Sequence, residues 1–288
     1  MIAPAVISHR GASAHAPENT LAAFRLAARM GASFIETDLR CTREGKFVFL
    51  HDARVNRTTN GRGRVAQLEL GALRRLDAGS WFSREYAGER IPTLPEGLAL
   101  AEELGLGAYL EMKVPLDASR LFALVRQLRQ FHLDRLVLLS FQPPVLRALR
   151  AAEPRLKTAL LVRRAGPAVE TAKQAGAALL APHRKRITAT LVAQAHRGGF
   201  GVVTWTVNGR REMRKMLAMG VDGIMTNWPD RLTELLAENG LAAGLPAPGP
   251  NGLQRKTRDG ENHLERERED ILGGTGSALA LWRRKRRD

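Results

Sequence analysis

Four short motifs, His9-Arg10-Gly11, Glu36-Thr37-Asp38, His51-Asp52 and Glu111-Met112-Lys113, each stand where a run of apolar residues ends. Residues two apart on a strand share a face, so Glu36 with Asp38, and Glu111 with Lys113, can point into one space. If Glu36, Asp38 and Glu111 converge, they form a hard oxygen donor set that suits Mg²⁺ or Ca²⁺ better than zinc. His9 and His51 are imidazoles that titrate near neutrality, so one can take a proton from an attacking oxygen while the other protonates a leaving alkoxide. Arg10 offers a planar donor fork to a phosphate oxygen and Lys113 a point charge, although either can instead pair with the carboxylates. Displacement at a phosphodiester builds negative charge on the phosphoryl oxygens, which a fixed cation and a metal ion would offset.

The elements that must position these residues follow from the alternation of short apolar runs with amphipathic stretches, the pattern of repeated βα units around a parallel sheet. Strands are expected at 6–8, 34–38, 47–50, 108–111, 136–140, 158–162, 177–181, 202–205 and 223–226. Helices are expected at 20–30, from near Thr93, and at 116–130, 143–152, 188–197, 210–219 and 229–238. Asn19 can cap the first of these helices and Gly31 can end it. Nine strands are one more than an eight-stranded barrel uses, and the gap between Asp38 and Phe47 is too short for a crossover helix. Residues 53–91 form the longest stretch without strand alternation, with helical spacing from Leu68 to Leu76, and read as an insertion above the sheet.

With 288 residues and 44% hydrophobic content the chain is long enough for one large α/β domain. The net charge is +16; before the basic end at 283–287 the arginines are scattered through predicted helices, with Arg210, Arg211, Arg214 and Lys215 the densest cluster. This argues for solvated helix faces and against a dedicated nucleic-acid module. A lone cysteine, Cys41, is read as a loop residue without a chemical role, and it excludes an internal disulfide. The first residues carry no signal-peptide pattern and no run of about 18 apolar residues occurs, so a cytoplasmic protein without stable membrane insertion is expected. Residues 1–240 are read as the barrel domain, and 241–288, proline-rich and then dense in charge, as a disordered tail.

Taken in order, these motifs resemble the glycerophosphodiester phosphodiesterase family. The resemblance runs through His9-Arg10-Gly11, Pro17-Glu18-Asn19-Thr20, Glu36-Thr37-Asp38, Val48-Phe49-Leu50-His51-Asp52, Leu76-Asp77-Ala78-Gly79, Ile91-Pro92-Thr93-Leu94, Glu111-Met112-Lys113, Ser140-Phe141, Trp205-Thr206-Val207-Asn208 and Asp222-Gly223-Ile224-Met225-Thr226-Asn227. It implies a TIM (β/α)8 barrel with a small insertion after the strand ending at His51. It also implies Glu36, Asp38 and Glu111 as ligands of a divalent metal and His9 and His51 as the acid/base pair. Arg10 and Lys113 would contact phosphate, Glu18 and Asn19 would support the substrate site, and Trp205 would line the pocket for the glycerol part. The implied reaction is hydrolysis of a small-molecule glycerophosphodiester to glycerol 3-phosphate and an alcohol, with a related activity on lysophospholipids as the alternative. The chain departs from the family where Glu44 and Asn227 stand in place of the commoner aspartate.

Overall fold

The computed structural model describes residues 3–241 except 165; the tail assigned to 241–288 lies, beyond its first residue, outside the described residues. Among the described residues nine strands form one sheet: β1 (Ala5–His9), β2 (Phe34–Cys41), β3 (Phe47–Phe49), β4 (Gly107–Met112), β5 (Leu136–Ser140), β6 (Lys157–Val162), β7 (Leu179–Pro182), β8 (Gly201–Thr204) and β9 (Gly223–Thr226). Their order is β1-β9-β8-β7-β6-β5-β4-β2-β3, and a further β1–β2 pairing closes eight parallel strands into a barrel. The surplus strand is β3. It runs antiparallel to the end of β2, with Leu39 to Cys41 facing Phe49 to Phe47, and so makes a hairpin outside the closed ring.

The helices are α1 (Leu21–Arg29), α2 (Leu70–Leu73), α3 (Leu94–Glu103), α4 (Ala118–Leu128), α5 (Pro143–Ala152), α6 (Ala168–Gln174), α7 (Ala189–Arg197), α8 (Arg210–Ala218) and α9 (Pro229–Glu238). Thr93 caps α3 in a reciprocal capping box with Glu96, an arrangement that contributes about 1 kcal/mol. α6 escapes sequence reading because it is only 7 residues long. The helical spacing from Leu68 to Leu76 yields only the single turn α2, bounded by tight turns. Cys41 is not in a loop but ends β2, buried, where burial raises its thiol pKa and disfavours a thiolate.

Two apolar layers hold the barrel. Inside it, Ala5, Ile7, Phe34, Tyr109, Val137 and Leu139 meet Ala159, Leu161, Leu179, Ala181, Val203 and Met225, so every barrel strand contributes to a filled interior. Between strands and helices lies the larger layer, including Phe24, Ile35, Leu39, Leu98, Leu110, Leu138 and Leu146. The insertion carries its own cluster of Val55, Val65, Leu73, Ala78 and Ile91 under Val48 and Leu50. No helix among the described residues is long and apolar enough to cross a membrane.

Candidate active site

Pairing register brings the predicted residues together at the C-terminal ends of β1, β2 and β4. His9 is the Cα partner of Glu36 across β1 and β2, and Asp38 is the partner of Glu111 across β2 and β4. Carboxylate oxygens of Glu36, Asp38 and Glu111 consequently lie within 4.8 Å of one another. Lys113, one residue beyond β4, places Nζ 2.7 Å from Glu111 Oε1 and 3.1 Å from Asp38 Oδ1.

Directly after His9 the chain turns through two left-handed residues, Arg10 at φ 58° and Gly11 at φ 78°. A Cβ on Gly11 would fall 2.6 Å from that of Ala23, so the third position of His9-Arg10-Gly11 requires glycine. Arg10 is held in its strained conformation by the site itself. Its backbone N–H donates to Glu36 Oε2 (3.2 Å), its guanidinium donates to Glu18 Oε1 (3.0 Å), and its Nε is 3.1 Å from Asp38 Oδ2.

Asn19 does not cap α1. Thr20 does, accepting from the Ala23 N–H, which frees Asn19 for a different task. At φ 59° its Nδ2 donates to Asp38 Oδ2 (2.9 Å) while its Oδ1 accepts from the Thr37 hydroxyl (2.7 Å), so Asn19 fixes the orientation of Asp38.

Both imidazoles are anchored at Nδ1, which leaves Nε2 without a hydrogen bond among the described residues, that of His9 lying 3.9 Å from Glu36 Oε2. His9 Nδ1 donates to Asn227 Oδ1 (2.7 Å), and His51 Nδ1 donates to Asp52 Oδ1 (2.6 Å). Asp52 is in turn gripped by Arg57 Nε (2.8 Å), and the same guanidinium makes two 2.8 Å bonds to Glu18. Arg40 ties the ends of two elements to β2, donating to the carbonyl of His51 (2.6 Å) and to that of Lys113 (3.1 Å). The sequence reading missed Arg40, Asn227 and Arg57 as site-building residues. Asn227 carried a signal, its departure from the family's aspartate, whereas Arg57 lies in the insertion with no pattern to single it out.

The electrostatics mark a site with surplus negative charge. Glu36 is buried beside the charges of Asp38 and Glu111, which together raise its pKa well above the usual range, and Glu111 is raised by burial and Asp38. Asp38 behaves oppositely, because Arg10, Lys113 and His51 outweigh its burial and bring it to about 2. Burial, reinforced by Arg10, lowers His9 to about 4, and burial also lowers His51. Three carboxylates faced by two fixed cations, with an oxygen of each within 4.8 Å of the others, are a hard donor set that fits a divalent cation.

Trp205 follows β8 and sits on top of the barrel's inner layer, with its indole N–H donating to the carbonyl of Ala181 (2.7 Å). It is in edge contact with Phe141 (ring centroids 5.7 Å apart) and His183 (5.0 Å). The insertion thus contributes to the site as well as to the surface, through Arg57 and through Tyr86, whose hydroxyl donates to the carbonyl of His15 (3.0 Å).

Comparison with known proteins agrees with this geometry. A glycerophosphodiester phosphodiesterase of Caldanaerobacter subterraneus subsp. tengcongensis is 36% identical over 241 residues, which cover 82% of this chain and 98% of that one. One of Bacillus subtilis is 32% identical over 251 residues, covering 78% of this chain and 83% of its own. Among solved structures, an Oleispira antarctica phosphodiesterase in complex with the product sn-glycerol-3-phosphate superposes with a TM-score of 0.77 at 32% identity, covering 82% of this chain and 97% of that chain. The model of the glycerophosphoryl diester phosphodiesterase family matches residues 9–231, and the chain belongs to that family.

Proposed function

We propose that this protein hydrolyses glycerophosphodiesters to glycerol 3-phosphate and an alcohol, with a divalent cation, Mg²⁺ or Ca²⁺, held by Glu36, Asp38 and Glu111. The observation that carries the reading is the convergence of those three carboxylates beside Arg10 and Lys113, with two imidazoles each fixed at Nδ1. When bound, the cation supplies Lewis-acid polarisation of a phosphoryl oxygen and neutralises charge there. The chain's own residues do the rest. Arg10 and Lys113 bind the phosphoryl oxygens, and Asn19 and Glu18 hold Asp38 and Arg10 in place for that work.

His9 and His51, neutral at pH 7 and with Nε2 free, divide the proton transfers: one accepts the proton of the attacking water and the other returns one to the leaving oxygen. Trp205 gives the glycerol part an apolar wall. The product held by the Oleispira antarctica relative supports glycerol 3-phosphate as the product here.

The test is an assay of the full chain on several glycerophosphodiesters with Mg²⁺, Ca²⁺ or a chelator. Release of glycerol 3-phosphate that needs the cation is expected. Its absence with every common headgroup would overturn the proposal, and turnover of lysophospholipids alone would replace it with the lipid activity.

A further inference from the structure

The half of the barrel mouth facing the carboxylates is built from cations and aromatic rings. In the closed ring β6 is four strands from β1 in either direction, so the loops after β6 and β7 stand across the opening from His9. Eight tilted strands about 4.8 Å apart make a ring on the order of 15 Å across, a span that a long side chain and a substrate headgroup can bridge. Arg163, the residue after β6, lies over the rings of both Phe141 (5.2 Å to the centroid) and Trp205 (5.6 Å). Those contacts hold its guanidinium at the pocket mouth. It also borders a cavity of about 490 Å³ beside α6, lined by Phe141, Pro143, Leu160, Ala168 and Thr171.

Lys185 and Arg186, in the loop after β7, are exposed beside it, and the Arg186 Nε–H donates to the carbonyl of Arg163 (3.3 Å). In a chain with 45 Lys and Arg against 29 Asp and Glu, basic patches are expected. Several arginines elsewhere are matched, Arg129 and Arg155 on Glu153, Arg210 on Glu234 and Glu238, Arg74 on Glu96, while others among the described residues stand singly on the surface. Even Arg184, in the same loop, is paired with Glu212. Among the described residues no carboxylate pairs with Arg163, Arg164, Lys185 or Arg186.

We infer that the basic side of this face, from Arg163 to Lys185 and behind the Trp205 wall of the glycerol part, is the subsite for the released alcohol and that it selects headgroups bearing an additional anionic group, with Arg163 as the principal contact and Lys185 as a supporting charge. The inference rests on the hydrolase reading above. A cationic headgroup such as choline would meet four like charges there, and a neutral one would leave Arg163 without an ionic partner.

The experiment compares glycerophosphocholine, glycerophosphoglycerol and glycerophosphoglycerol phosphorylated on its terminal hydroxyl, by kcat/KM and by calorimetric binding to the full chain in chelator. The phosphorylated diester should be favoured by about tenfold over glycerophosphoglycerol, through KM, with choline last. High salt, Arg163→Met and Lys185→Glu should each shrink that ratio; Lys185 is exposed, so its variant tests the idea even if Arg163→Met misfolds. Equal binding and turnover across the three headgroups, or a parallel fall for all of them in both variants, would overturn the inference. If binding favours the extra phosphate but nothing is cleaved, the hydrolase reading fails while the subsite stands.

Discussion

His9 gives its Nδ1 proton to the neutral amide oxygen of Asn227, whereas His51 gives its own to the carboxylate of Asp52, itself pinned by Arg57. Both acceptors fix the tautomer and favour the imidazolium, the amide weakly and the carboxylate with its charge more strongly. The acceptor at Nδ1 therefore adds to the difference that burial and Arg10 make between the two rings. Replacing either ring, by His9→Ala or His51→Ala, is expected to lower kcat by about a thousandfold with unchanged circular dichroism. A near-normal rate in either variant would remove that ring from the mechanism. Asn227→Ala should lower kcat roughly tenfold with little change in KM, since it frees a ring that binds no substrate by itself. If KM moves and kcat does not, Asn227 serves substrate binding instead.

At the scale of elements, the insertion and the helix pairs depend on single residues. Asp77 accepts from the backbone N–H groups of Gly79, Ser80 and Gly88, folding the loop that returns to Ile91. A Cβ on Gly79 would sit 1.8 Å from the carbonyl oxygen of Tyr86, a backbone atom that cannot step aside. Gly79→Ala is expected to cost about 2 kcal/mol or more by urea denaturation. It should also impair activity, because the same segment carries Arg57 to Glu18 and Asp52.

Glu153, the buried residue after α5, accepts from Arg129 after α4 (2.7 Å) and from Arg155 (2.9 Å), which lowers its pKa to about 2. A depressed carboxylate stabilises the fold above its unfolded pKa of about 4.3 and loses that contribution as pH falls toward 2. Wild type should exceed Glu153→Gln in urea midpoint at pH 6, and the gap should narrow by pH 3 and close only near pH 2. A gap independent of pH would mean that packing, and not charge, is what Glu153 supplies.

For the molecule as a whole, three clustered carboxylates are a store of repulsion that a bound cation would relieve. A ligand that binds only the native state stabilises it by about 2.7 kcal/mol at a hundredfold excess over its Kd. For a domain of this size that amounts to a rise in Tm of roughly 5–10 °C. Scanning calorimetry should show such a rise with Mg²⁺ or Ca²⁺ and its reduction in Glu111→Gln. No shift with either ion in the wild type would argue against the cation site.

How much of this was legible in the chain depends on the range of each interaction. Side-chain alternation along a strand is local, so Glu36 and Asp38 could be placed on one face, and Glu111 with Lys113 on another, from spacing alone. Helix limits at Thr93 and Gly31 were likewise written in neighbouring residues, and the family pattern supplied the barrel. Local spacing was ambiguous where elements are short or where a cap has two candidates, as with α6 and with Asn19 beside Thr20. That β3 folds back on β2 while β1 closes on it depends on backbone pairing in three dimensions. Asn227 reaches His9 across 218 residues of chain, and Arg57 reaches Glu18 across 39. Contacts of that separation have no sequence period, and only the closure of the barrel decides which groups meet.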